Sequence, residues 1–86
     1  MKSTRAYGYD RLLTRLKLAR KEASLTQEKL AKKLRRPQSF VSKYENAEQR
    51  LDVVEFVEVT RALGIDASEA LTLLTEAGGP QAARKR

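Results

Sequence analysis

Apolar residues recur at helical spacing along most of the chain, and this spacing restricts its fold more than any other feature. Side chains three or four positions apart share one face of a helix, whereas a half-buried strand alternates apolar and polar residues. No stretch alternates in that way with enough Val, Ile and Thr to indicate a strand. The sequence therefore predicts an all-α fold, a compact five-helix domain. The helices are expected at about residues 10–23, 27–34, 38–45, 52–63 and 67–77.

Capping residues and prolines indicate where these helices begin and end. Asp10 and Thr26 stand where N-caps of the first and second helices are expected. Pro37 ends the second helix, because proline disfavours the helical conformation in the residue before it, and it suits the first turn of a third helix. Asp66 and Glu69 have the spacing of a capping box at the start of the fifth helix.

The 86 residues are enough for one domain only. Residues 1–9 are polar and contain a glycine, so we expect a flexible N-terminal arm. Residues 10–77 form the folded domain, and residues 78–86, which begin with Gly-Gly-Pro, form a basic, disordered tail. A chain this small has a thin margin of stability, which pairing with a second copy would increase.

Charge is divided unevenly along the chain, whose formal net charge is +7. Residues 1–50 carry 14 Lys or Arg against 5 Asp or Glu, while residues 51–79 carry 1 against 6. A basic half followed by an acidic half indicates one surface for a polyanion and another surface with a different task. Nucleic acid fits the basic half better than an anionic membrane does, since no basic amphipathic helix shows exposed aromatic anchors.

Several classes of site are excluded by composition. The chain has neither cysteine nor histidine, so disulfides, the common zinc ligands and the usual general base at neutral pH are absent. We interpret the carboxylate pairs Glu45/Glu48 and Glu55/Glu58 as exposed acids on helix faces, because catalytic pairs need a pocket that separates their pKa values. No apolar run is long enough to cross a membrane. We expect a cytoplasmic, nucleoid-associated protein that has no cofactor or metal and is not an enzyme.

Two of the predicted helices are short and are joined by a three-residue turn, which is the geometry of a helix-turn-helix. In this motif the second helix enters the major groove of duplex DNA. Its outward positions here carry side chains that can form hydrogen bonds with base edges. The expected base readers are Gln38, Ser39, Ser42 and Lys43. The expected phosphate contacts, which position the protein without reading sequence, are Lys32, Lys33, Arg35, Arg36 and Arg50.

Residues 26–34 read T-Q-E-K-L-A-K-K-L, and residues 37–46 read P-Q-S-F-V-S-K-Y-E-N. Together with Ala-Leu-Gly at 62–64, these segments closely resemble the phage-repressor (XRE, Cro-like) helix-turn-helix family. The likeness covers about residues 10–76. It implies a protein that binds double-stranded DNA at specific sequences.

The same resemblance implies roles for individual residues. Gln27 would touch the DNA backbone and brace Gln38, and Asn46 would contact a phosphate just after the recognition helix. Two positions depart from the family. Arg35 replaces the glycine usual in the turn, a position that favours a left-handed backbone. Pro37 replaces a capping Ser or Thr.

A single helix-turn-helix covers a short half-site, so a palindromic operator bound by a homodimer is expected, with repression by occupancy. We expect Leu71 and Leu73, on the last predicted helix, to contact the twofold partner. An antitoxin-like or other protein-interaction module remains an alternative, in which residues 51–86 bind a protein partner and DNA binding is autoregulatory. RNA binding is a weaker alternative, because A-form major grooves exclude a recognition helix.

Overall fold

The computed structural model describes residues 7–77, which form helices and no strand. The five helices are α1 (Tyr7–Glu22), α2 (Gln27–Leu34), α3 (Gln38–Glu45), α4 (Val53–Leu63) and α5 (Ala67–Ala77). The prediction of an all-α, five-helix domain is confirmed, and α2, α3 and α5 have the predicted bounds. The predicted tail and the first six residues of the predicted arm lie outside the described residues.

The start of α1 differs from the prediction. The helix begins at Tyr7, so Asp10 lies within its first turn and the predicted N-cap at Asp10 is wrong. Positions 7–9 belong to α1 rather than to an arm, because this turn is packed: Tyr9 is buried in the core. A Cβ at Gly8 would lie 3.1 Å from the Cα of Leu74, so a glycine lets α1 approach α5 closely.

The core is centred on α1, which packs against α3, α4 and α5, while α2 packs against α3 and α4. This arrangement pairs α2 with α3, and it packs α3 on α1 and α2 on α4. The most fully buried side chains come from four helices and are Leu16, Leu30, Val41, Tyr44, Val59 and Thr60.

Local hydrogen bonds fix the starts of α2 and α4. The hydroxyl of Thr26 accepts a hydrogen bond from the backbone N–H of Lys29 at 3.0 Å, which confirms the predicted cap of α2. Asp52 and Glu55 form a full capping box at α4: the Glu55 amide donates to the Asp52 carboxylate at 2.7 Å, and the Asp52 amide donates to the Glu55 carboxylate at 2.9 Å. This second box was not predicted, and it gives the Glu55 carboxylate a structural task.

Asp66 also organises a helix start. Its carboxylate accepts hydrogen bonds from the amide and hydroxyl of Ser68, both at 2.9 Å, and from the amide of Glu69 at 3.4 Å. The bonds from Ser68 hold the pKa of Asp66 below its usual range, because they stabilise the ionised carboxylate. The Asp66 side of the predicted capping box is therefore present.

The hydroxyl of Tyr44 is buried and has no hydrogen-bond partner among the described residues. The side chain as a whole is almost fully buried. Burial raises the pKa of this phenol, since the ionised form loses its hydration. The folded chain therefore keeps the Tyr44 proton at a pH where the unfolded chain has begun to lose it.

We expect Tyr44→Phe to raise the free energy of unfolding at neutral pH by about 1 kcal/mol, because it removes an unpaired buried hydroxyl. Because the pKa of Tyr44 is raised only in the folded chain, the wild type loses stability as pH rises above the unfolded pKa of about 10, where only the unfolded chain readily ionises. The advantage of the variant should therefore widen in urea unfolding above that pH. A less stable variant at neutral pH would show that the hydroxyl has a partner.

Candidate nucleic-acid interface

Two backbone hydrogen bonds close the C-terminal end of α2 at the turn that leads to α3. The backbone N–H of Arg35 donates to the carbonyl of Lys32 at 3.0 Å, and that of Arg36 donates to the carbonyl of Ala31 at 2.9 Å. Pro37 is the N-cap residue of α3, with an extended backbone and no side-chain capping bond, as its replacement of Ser or Thr implied. Two eight-residue helices are thereby held across a tight turn, in the arrangement of a helix-turn-helix.

Residues with left-handed backbone lie on both sides of α3. Arg35, before the helix, has φ 59° and ψ 44°, as its glycine-type position implied. Ala47, after the helix, has φ 62° and was not anticipated. Each costs a residue with a Cβ roughly 1 kcal/mol relative to glycine. The chain thus retains two strained backbone positions next to the helix that carries the predicted base readers.

Helix α3 divides its side chains between the core and the surface. Val41 and Tyr44 face the core, while Gln38, Ser39 and Lys43 are exposed. The fourth predicted base reader, Ser42, is half-buried at the margin of this face. The structure therefore presents polar, hydrogen-bonding side chains on a helix whose other face is fixed by packing.

A buried ion pair joins α1 to the end of α3. The Arg20 Nε donates to Oε2 of Glu45 at 2.7 Å and a second nitrogen donates to Oε1 at 3.2 Å, while a third donates to the carbonyl of Leu25 at 2.8 Å. The side chains of Arg20 and Glu45 are only 9% and 1% exposed. The expectation that Glu45 is an exposed acid is therefore wrong.

The sequence held a signal for this pair. Arg20 follows Leu16 by four positions, so it lies on the core face of α1, and a cation on a core face needs an anionic partner. Nothing in the sequence identified Glu45 as that partner, because the two residues are 25 positions apart. The packing of α1 against α3 brings them together.

Gln27 belongs to the same cluster. Its Nε2 donates to Oε1 of Glu45 at 2.9 Å, so the described partner of this amide is Glu45, whereas the resemblance implied a contact with Gln38. Gln27 is the first residue of α2 and is half-buried. The buried carboxylate thus orients a side chain at the start of α2 as well as pairing with Arg20.

Two of the predicted phosphate-contacting cations are engaged with α4. The ammonium group of Lys33 donates to the carbonyl of Ala62 at 2.9 Å, near the C-terminal end of that helix. The Arg36 guanidinium bonds Glu55 at 3.3 Å and Glu58 at 3.1 Å. Glu55 is only 19% exposed and Glu58 47%, so the prediction of exposed acids holds for Glu58 and is wrong for Glu55.

Other predicted contact residues lie at the surface. Lys32 and Arg35 are exposed on and after α2, and Asn46 is the exposed C-cap residue of α3. The Arg50 guanidinium lies over the ring of Tyr9, 4.9 Å from its centroid.

Sequence reasoning gave no role to Lys17, an exposed cation on α1. It lines a concavity of about 180 Å³ together with Asn46, Ala47 and the α1 residues Asp10, Leu13 and Thr14. Position 17 lies three residues before Arg20, on the side of α1 that faces the end of α3. Its charge is therefore beside the residue predicted to contact a phosphate after α3.

The two predicted dimer residues lie on different sides of α5. Leu71 is 43% exposed and lines a concavity of about 210 Å³ with Val53 and Phe56 of α4. Leu73 is half-buried and lines a separate concavity with Leu18 of α1. Exposed apolar side chains continue from the first of these along α4, where Val53 and Val54 are 79% and 65% exposed.

Within residues 7–77, no group of three or more acidic side chains is arranged to hold a metal ion. None of the helices in that part of the chain combines the length and the apolarity that a membrane span requires.

Comparison with known proteins agrees with this geometry. The helix-turn-helix family model matches residues 16–69. The chain is similar to a solved structure, an XRE-family like protein from Pseudomonas syringae pv. tomato str. DC3000, with 52% sequence identity and a TM-score of 0.76. That match covers 85% of this chain and 88% of the other. No curated protein matches the chain.

We expect Glu45→Gln to lower the free energy of unfolding by about 3 kcal/mol, because it leaves the Arg20 guanidinium buried without an anion. The matched control is Glu48→Gln, which neutralises an exposed acid three residues away and should change stability by less than about 0.5 kcal/mol. Urea unfolding followed by circular dichroism measures both. Equal, small effects would contradict a structural role for the pair.

The variant Arg35→Gly tests whether Arg35 contributes to DNA binding at a cost in backbone strain. Removing the left-handed arginine should raise the free energy of unfolding by about 1 kcal/mol. It should also weaken binding to duplex DNA, because a cation beside α3 is lost. Ala47→Gly is the control, since it relieves the same backbone strain without changing charge. If Arg35→Gly is more stable and binds as well as the wild type, the arginine has no role in binding.

Proposed function

Because the chain belongs to the XRE-type helix-turn-helix family of DNA-binding transcription regulators, we propose that it represses transcription by occupying a palindromic operator as a homodimer. The observation that carries this proposal is the exposed polar face of α3, backed by a fully packed core. A helix of this kind enters the major groove with its orientation set by the helices behind it.

Base reading is assigned to the exposed side chains of α3. Gln38 pairs with adenine through N6 and N7, and Lys43 suits the O6 and N7 acceptors of guanine. Ser39 and Ser42 form hydrogen bonds with several bases, Ser42 from the margin of the face. The exposure of Gln38, Ser39 and Lys43, and the position of all four residues on one short helix, support these assignments.

Backbone contacts are assigned to groups at the ends of α2 and α3. Lys32 and Arg35 supply exposed positive charge, and Asn46 follows α3. We add Lys17, because it shares a concavity with Asn46. The side-chain amide of Gln27 has two hydrogens. One is donated to Glu45, and we assign the other to a phosphate contact.

Three further cations were expected to contact phosphates. Lys33 and Arg36 are left out of the proposed interface, because their charged groups are engaged on α4. Arg50 is retained as a contact at the edge, where its guanidinium lies over Tyr9. Contacts of this class give affinity on every sequence and make it depend on salt.

The proposed twofold contact centres on Leu71 with Val53 and Val54. These side chains are among the most exposed large apolar residues of the described chain, and Leu71 and Val53 share one concavity. Burying such a patch against a second copy adds apolar stabilisation to a small domain. Leu73 faces a different concavity, so it would contact a partner only through another side of α5. A twofold dimer sets its recognition helices about 34 Å apart, one turn of DNA.

Selection of bound sites from random duplex DNA, with purified protein at moderate salt, tests the proposal. Enrichment of an inverted repeat with half-site centres about ten base pairs apart is the expected outcome. Enrichment of a single half-site would contradict the proposed dimer and would support sequence-specific binding by a monomer. If a folded protein enriches nothing, the proposal fails, and a protein partner of residues 51–86 becomes the leading alternative.

Gln38→Ala should weaken binding to the selected site by about 1–3 kcal/mol and spare random DNA, because it removes a base contact. The contrasting variant is Lys32→Ala. Loss of a phosphate contact should weaken both DNAs equally and reduce the slope of log K against log salt by about 0.9. Fluorescence anisotropy at several salt concentrations measures both quantities. Equal losses on the two DNAs in Gln38→Ala would contradict base reading by Gln38.

A further inference from the structure

We propose that Arg36 is a positioning residue for base reading: it ties the first turn of α3 to α4, so that Gln38 and Ser39 are presented in one orientation. The inference rests on the proposed function for its effect on DNA. Its structural part stands on contacts within the chain. It replaces the phosphate contact expected of this arginine.

The contacts of Arg36 extend in two directions. Its guanidinium carbon lies 4.6 Å from the centroid of the Phe40 ring, in the first turn of α3. Its two terminal nitrogens donate to Glu55 at 3.3 Å and to Glu58 at 3.1 Å, on α4. One side chain therefore bridges the start of α3 and the first half of α4.

Both ends of this bridge are anchored. The Phe40 ring packs edge-on against the buried ring of Tyr44, with centroids 5.6 Å apart. The Glu55 carboxylate also accepts the backbone N–H of Asp52 in the capping box that starts α4. A guanidinium held between these groups has its side-chain rotamer restricted at both sides.

The start of α3 depends on such a bridge because it has no side-chain cap. Pro37 forms no side-chain capping bond, and the Phe40 amide donates to the Pro37 carbonyl at 3.0 Å. The extensive contacts of α3 are with α1 and α2, and those of α4 are with α1, α2 and α5. Arg36 adds a link from α3 to α4, at the turn that carries Gln38 and Ser39.

The sharpest test uses Glu58→Gln, because a phosphate contact by Arg36 predicts an unchanged ratio of affinities for the selected site and random DNA, whereas a positioning role predicts a lower ratio. Glu58 accepts from Arg36 and lies outside the α4 capping box. If Arg36 is a phosphate contact, neutralising this acid frees positive charge and strengthens binding to every duplex. If Arg36 positions α3, the ratio of affinities for the selected site and for random DNA falls, roughly three- to tenfold. Glu69→Gln removes the same charge on α5 and should leave that ratio unchanged.

Arg36→Gln completes the test as a double-mutant cycle with Glu58→Gln. The positioning role predicts that the two losses of discrimination do not add, and that the salt dependence of binding to random DNA keeps its wild-type slope. Additive losses, or a slope reduced by about 0.9 in Arg36→Gln, would overturn the proposal in favour of a phosphate contact. Arg36→Lys should restore part of the discrimination, since a lysine keeps the charge without the planar fork.

Amide hydrogen exchange without DNA provides an independent readout. In Arg36→Gln, exchange of the Phe40 amide should rise roughly three- to tenfold relative to the Leu30 amide, which donates to the carbonyl of Thr26, the N-cap residue of α2. Unchanged exchange at Phe40 would refute the bridge. If the wild type fails to discriminate between sequences, the proposed function fails, while the exchange result still decides whether Arg36 holds the start of α3.

Discussion

The ion pair between Arg20 and Glu45 is the interaction on which the arrangement of the interface depends. It connects the central helix α1 to the last residue of α3, and the same carboxylate orients Gln27 at the start of α2. Two charges in a nearly dry environment are costly unless each is fully bonded, and the donors to Glu45 and the Leu25 carbonyl meet that requirement. The Glu45 carboxylate therefore contributes both to the stability of the fold and to the placement of α2 relative to α3.

The basic half of the chain serves two purposes. Arg20, Lys33 and Arg36 are directed inward or onto α4, where carboxylates and a helix-end carbonyl satisfy them. Lys17 and Lys32 remain at the surface near α2 and α3. Glu45 neutralises Arg20, and Glu55 and Glu58 of the acidic half neutralise Arg36, so the charge available to a polyanion is smaller than the sequence count suggests.

The sequence predicted the helices and the helix-turn-helix well, because apolar periodicity, Thr26 and Pro37 act over a few residues. It failed where an outcome depended on contacts between distant segments. The start of α1 was misplaced because the burial of Tyr9 and the contact of Gly8 with α5 are tertiary effects. The burial of Glu45 is likewise a tertiary effect, because its partner Arg20 is 25 positions away in the sequence. Apolar periodicity identifies which positions face the core, but it does not identify which distant residue each of them will contact.

The division of α3 into a packed face and an exposed face has a consequence for the evolution of this domain. Val41 and Tyr44 hold the helix in the core, while Gln38, Ser39 and Lys43 lie at the surface. Substitutions at such surface positions usually change stability by less than about 0.5 kcal/mol. Under the proposed base reading, exchanges at these three positions would change the target sequence with little effect on stability, while the scaffold that presents them stays the same.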